Sequence, residues 1–133
     1  MNNELNDTLT TLTDFELELI WAGYTECAQW ADIPYNEEGT EEVDADEWVF
    51  SDALRYAVLD FVIENEEDVM AYADLDSYGF EGVGHNIWLS ARGHGTGFWD
   101  RGYGALGDRL DKASEHMCGD PYMGDDGIVY VDY

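Results

Sequence analysis

The sequence predicts an α+β fold, with two long helices packed on a small antiparallel sheet and a third short helix. Three observations carry the prediction. Two helical patterns behind recognisable start signals lie within residues 1–78, 12 of the 14 glycines fall between residues 79 and 127, and two extended apolar runs near the C-terminus flank the turn sequence GDDG. The chain has 133 residues, of which 45% are hydrophobic and 14% aromatic, with five Trp and nine Tyr. This is not the composition of a disordered acidic tail, and a chain of this length buries roughly two thirds of its unfolded surface in one core. One domain over residues 1–133 is therefore expected, with an acidic helical half (1–78) and a Gly-rich strand-turn-helix-hairpin half (79–133).

The first helix begins where Thr13 and Glu16 have capping-box spacing and Leu12 and Leu17 occupy the two positions of a hydrophobic staple. Phe15, Leu19, Ala22, Cys27 and Trp30 recur at three-, four- or five-residue steps and are assigned to its buried face. It ends near Ala31, ahead of Ile33 and Pro34. Residues 32–47 form an acidic connector with no basic residue. Ser51 is the expected N-cap of the second helix, Asp52 suits its positive end, and Leu54, Val58, Phe61 and Val62 supply its buried stripe. Asp60, Glu64 and Asp68 stand at i, i+4 and i+8, with Glu67 beside them, as a row of like charges. In an isolated helix such a row costs a few tenths of a kcal/mol per pair.

After Gly79 the pattern changes to extended pieces. Residues 86–90 and 96–99 read as two antiparallel strands joined through the glycines of 91–95. Residues 104–117 form the short helix, with Leu106, Leu110 and Ala113 on one side. Residues 121–123 and 128–131 flank GDDG (124–127), a hairpin signal because Asp-Gly tolerates positive φ.

Charge decides which functions are excluded. The 31 Asp and Glu against 5 Lys and Arg give a net charge of −26, so direct binding to nucleic acid or to an anionic membrane meets repulsion with no counterions to release. The first 91 residues carry a net −22, with Arg55 their one basic residue. Residues 92–112 carry +1, and residues 113–133 carry −5. Solubility requires a charge of magnitude only about 2 to 8 in a small domain, and the excess adds self-repulsion. The first residues have no basic n-region and no long apolar stretch, and two cysteines make no disulfide framework, so a cytoplasmic protein is expected.

Other chemical signals are incomplete. GYGALG (102–107) satisfies G-x-G-x-x-G, but Asp100 and Arg101 precede it instead of a buried strand, and too few residues follow for a βαβ unit. His85, His94, His116, Cys27 and Cys118 lack metal-ligand spacing, and GDDG lacks a 12-residue oxygen-ligand loop, so neither a metal nor a cofactor is expected. His94, Trp99 and Arg101, set among glycines near Asp100, form the most pocket-like cluster. They provide no nucleophile or acid–base pair with a positioned partner, so the expectation is a protein that is not an enzyme.

The run GHGTGFWDRG (93–102), then LGDRL (106–110) and GDDGIVY (124–130), resembles the C-terminal half of small uncharacterised proteins encoded by bacteriophages and mobile elements. The resemblance covers roughly residues 80–131 and implies a genomic context, with no catalytic residue attached to it. In charge and size the chain is also similar to phage DNA-mimic antirestriction proteins, a likeness of composition alone.

Duplex DNA carries one charge per ~1.7 Å of axis, so 26 charges correspond to ~44 Å of duplex, or about 13 base pairs. The function expected is a DNA-mimic inhibitor acting in the host cytoplasm on a basic nucleic-acid-binding protein, with oligomers allowed. Glu37, Glu38, Glu41, Glu42, Asp44, Asp46, Glu47, Asp60, Glu64, Glu67 and Asp68 stand in for phosphates. The alternatives are a small enzyme or ligand-binding protein built on His94, Trp99 and Arg101, or a halophilic domain with acidity for solvation. Halophily fits the excess of Asp over Glu, 17 to 14, and the single lysine, Lys112. The near-neutral stretch at 92–112 is not something solvation alone requires.

Overall fold

The computed structural model describes residues 11–31, 35–36, 38, 40–41, 48–92, 97–98, 103–117, 120–124 and 126–132. Helix α1 (Asp14–Ala31) starts at the capping box expected of it. The Thr13 amide donates to Glu16 Oε1 at 2.9 Å, and the Glu16 amide donates to Thr13 Oγ1 at 3.1 Å. Two backbone donors that the first turn would leave unpaired are thereby satisfied. Leu12 and Leu17 are both buried, as a staple requires. The buried face differs from the one expected. Leu17, Ile20, Gly23, Tyr24, Cys27 and Ala28 turn inward, whereas Phe15 is 71% exposed and Trp30 82% exposed. Of the five positions assigned to that face only Cys27 is buried, because the packing stripe is set by Gly23 and the residues flanking it.

Two two-residue strands follow, β1 (Tyr35–Asn36) and β2 (Val49–Phe50). Ser51 then caps α2 (Asp52–Glu64), its Oγ accepting the Leu54 amide at 3.1 Å. The expected stripe of Leu54, Val58, Phe61 and Val62 is buried. The helix stops at Asn65, whose backbone sits at φ −115°, ψ 28°, and α3 (Glu66–Leu75) begins immediately after it. The Asn65 amide and side chain both return to the Phe61 carbonyl, the side chain at 2.8 Å, so the last turn of α2 is closed from within.

The largest correction concerns the next segment. Residues 86–90 are not a strand; they belong to α4 (Gly79–Arg92). The glycines that suggested turns serve helix packing. A Cβ on Gly84 would run into the Ile20 carbonyl and come within 2.6 Å of the Tyr24 amide nitrogen, and one on Gly23 would meet the Glu81 carbonyl. Missing side chains on both helices let α1 and α4 approach backbone to backbone, and this is the most extensive helix pair in the fold. Val83, Asn86, Ile87, Trp88, Leu89 and Ala91 are all buried. Over a window as short as residues 86–90, a mostly apolar run does not distinguish a packed helix from a buried strand. Within residues 96–99, the described Gly97 and Phe98 form a bend, not a strand, and the Phe98 amide donates to Ser90 Oγ at 3.1 Å.

Helix α5 (Ala105–Ala113) continues into a 3-10 turn (Ser114–Met117). Leu110 is fully buried, with Leu106 and Ala113 packed at the core's edge. The hairpin forms as expected: β3 (Asp120–Met123) pairs antiparallel with β4 (Ile128–Asp132), and Gly127 takes φ +78° in the turn. The sheet as a whole is mixed and not antiparallel. Its order is β1-β3-β4-β2, with both two-residue edge strands running parallel to their neighbours. The architecture is therefore α+β, with five α-helices among the described residues where two long ones and a short one were expected.

The core is one cluster drawn chiefly from the helices, completed by Leu12, Trp48, Phe98, Met117 and Val129 of β4. Tyr24 meets Trp88 edge-on at 5.3 Å, and Tyr72 meets Phe98 and Tyr103 at 5.1 and 5.0 Å. Asn86 Nδ2 donates to the buried Tyr72 hydroxyl at 2.9 Å, which joins α4 to α3 through a polar contact.

Candidate interaction surface

The acidic positions divide into four groups. Asp60 and Glu64 lie on the outer side of α2 and Glu67 on α3, all exposed, and none has an ion-pair partner among the described residues. Glu38 and Glu41 are exposed in the turn after β1, where the Glu41 carbonyl accepts the Asn36 amide at 2.9 Å. Glu37, Glu42, Asp44, Asp46 and Glu47 lie outside the described residues, as do His94, Trp99 and Arg101.

Asp68 stands apart from the row to which its spacing assigned it. Arg109 of α5 binds it bidentately, Nε to Oδ2 at 3.0 Å and Nη2 to Oδ1 at 2.9 Å. The hydrogen bond from Arg109, reinforced by its charge, holds the Asp68 carboxyl below the ordinary carboxylate range, against the opposing effect of partial burial. The break at Asn65 separates Asp68 from Asp60 and Glu64, so the ~6 Å rise per four residues of a continuous helix does not extend across all three. Asp68 ties α3 to α5, and the exposed set is Asp60, Glu64 and Glu67.

Two other intrachain pairs use carboxylates. Arg55 pairs with Glu18, and His85 Nε2 lies 3.1 Å from Glu26 Oε1. In the hairpin, Asp126 accepts the Tyr130 hydroxyl at 2.7 Å and the Ile128 amide at 3.0 Å, which lowers its pKa in that order of effect. Asp14, Glu18, Glu26, Asp52, Asp74 and Glu81 are also exposed, so carboxylates face solvent on every helix from α1 to α4.

A concave feature that sequence reasoning missed opens between α1, β2 and α2. Trp21, Thr25 and Gln29 from α1, Trp48 just before β2, Phe50 at its end, and Asp52 and Arg55 from α2 line a cleft of about 250 Å³. The rings of Trp48 and Phe50 lie 5.6 Å apart, Trp21 meets Phe50 edge-on at 5.7 Å, and the Arg55 guanidinium sits 5.7 Å above the Trp21 ring. The Trp48 amide donates to Gln29 Oε1 at 3.1 Å, and Gln29 Nε2 returns to the Thr25 carbonyl, so this wall is held in place. The available signal was the i, i+4, i+8 spacing of Trp21, Thr25 and Gln29, off the face assigned to α1.

No group of three or more His, Cys, Asp or Glu side chains is arranged to hold a metal ion among the described residues. Gly104, at φ +63°, enters α5 from Tyr103, whose hydroxyl reaches back to the Leu75 carbonyl at 3.2 Å and Asp76 at 3.3 Å. The middle glycine of GYGALG thus makes a helix entry, preceded by a residue tied into the core. No helix among the described residues is long and apolar enough to cross a membrane. No known protein family, curated protein or solved structure matches the chain.

Proposed function

We propose that this chain is a DNA-mimic inhibitor that occupies the DNA-binding surface of a basic host protein, in the manner of phage-encoded antirestriction proteins, without catalysis of its own. The observation that carries the reading is the exposure of Asp60, Glu64 and Glu67 without cationic partners among the described residues, within a 91-residue stretch of net charge −22. Arg55 and Arg109 are each engaged by a carboxylate, so they do little to neutralise the surface, and the field around the helices is strongly negative. Such a field accelerates encounter with a positively charged groove and repels nucleic acid. The acidic connector at 37–47 adds seven more carboxylates to the same half of the chain.

The test is charge reversal. D60K/E64K/E67K changes exposed positions outside the core and is expected to fold with unchanged helix content by circular dichroism. Its affinity for a DNA-binding protein captured from bacterial lysate at low salt should fall at least about tenfold, or ~1.4 kcal/mol. Unchanged affinity would reject the reading.

A further inference from the structure

The geometry points to the cleft between Trp21, Trp48 and Phe50 as an anchor site for an arginine side chain of the basic partner. That the occupant belongs to such a partner rests on the DNA-mimic reading; the preference for a guanidinium rests on the cleft itself. Three of its seven lining side chains are aromatic rings, which attract a weakly hydrated planar cation, and the other four are polar or charged. The chain already shows the interaction, because the Arg55 guanidinium lies over Trp21 and pairs with Glu18. Arg55 is 38% exposed at its side chain, so an incoming guanidinium can reach the cleft from solvent and competes with Arg55 for Trp21 and Glu18. Asp52 lines the same cleft, is exposed, and has no ion-pair partner among the described residues, which leaves a carboxylate to receive a bidentate guanidinium.

Charge complementarity selects the occupant. Within 91 residues of net charge −22, an anionic ligand is repelled and a neutral one gains no charge attraction from Asp52. A lysine ammonium matches the carboxylates but, being compact and strongly hydrated, uses the ring faces poorly. The site therefore adds a directional contact to an otherwise diffuse electrostatic surface, of the kind that forms a hot spot at the centre of an interface.

The experiment titrates the full chain with N-acetyl-arginine methylamide and follows the indole N–H resonances of Trp21 and Trp48. The citrulline and lysine counterparts serve as probes without the cation and without the planar fork. Saturable shifts with arginine, weaker ones with lysine and none with citrulline are expected. Asp52→Asn should weaken arginine binding at least about threefold, while Arg55→Ala, by removing the resident competitor, should strengthen it. Equal responses to arginine and citrulline, no response in the Arg55→Ala protein, or loss of binding on removing Arg55 would overturn the assignment. Asp52→Asn should also weaken capture of the partner, and capture unaffected by it would remove the partner's arginine from this cleft. The charge reversal at 60, 64 and 67 lies outside the cleft lining and reports on the DNA-mimic reading separately.

Discussion

Gly84 shows how much a single residue decides in this fold. With hydrogen in place of a Cβ, the backbone of α4 rests against the Ile20 carbonyl and the Tyr24 amide. Gly84→Ala forces two helices apart along their main contact and is expected to cost about 3 kcal/mol, read from the urea denaturation midpoint. Asp68 and Arg109 make a second residue-level case, with a pH signature. The carboxyl titrates lower in the folded chain than its unfolded value near ~3.9. The pair's contribution is thus complete above that value and disappears as pH falls through the lowered folded value. Arg109→Gln should be less stable than the parent at neutral pH, with the gap closing in acid. A gap undiminished at pH ~2 would contradict the account. At this scale the capping residues Thr13, Glu16 and Ser51 were legible in the sequence because caps depend on local spacing. The partner of Asp68 was not, because it lies 41 residues away and no local pattern encodes that distance.

Among the elements, α2 and the hairpin were the most legible. Leu54, Val58, Phe61 and Val62 repeat at helical spacing on one face, and GDDG has the turn chemistry that the antiparallel pair requires. Ser51 both follows β2 and starts α2, its amide bonding the Val129 carbonyl at 3.0 Å and its hydroxyl capping the helix. Ser51→Ala should therefore cost about 1 to 2 kcal/mol in thermal or urea unfolding, toward the upper end for a cap because the position is buried. Helix α4 was misread because Gly79, Gly82 and Gly84 carry a turn-like composition and the apolar run Ile87–Leu89 is too short to show a period. Its helical identity comes from packing against α1, a tertiary effect that overrides local preference. The edge strands β1 and β2 were missed for a related reason. Each has two residues, held parallel to a hairpin strand far along the chain, and no alternation can be read from two positions. The cleft inherits that difficulty, since Trp48 and Phe50 join the α1 row only through the placement of β2.

For the molecule as a whole, the sum of charges was readable at once and its arrangement was not. The regional imbalance, −22 over residues 1–91, locates the acidic half, but the structure reassigns its members. Asp68 and Glu18 serve internal pairs, while Asp60, Glu64 and Glu67 face outward on two helices joined at Asn65. The surface that remains is acidic on several helices, with an aromatic cleft among the carboxylates, and it suits a large basic partner better than a small anionic ligand. If the chain takes the place of DNA, chain and duplex must exclude one another on the partner. The decisive measurement is an equilibrium competition in which a labelled duplex of about 13 base pairs, bound to the captured partner, is titrated with this chain at several salt concentrations. The account predicts complete, mutually exclusive displacement, with the chain's affinity falling steeply as salt rises. A ternary complex of partner, duplex and chain, or an affinity indifferent to salt, would contradict it.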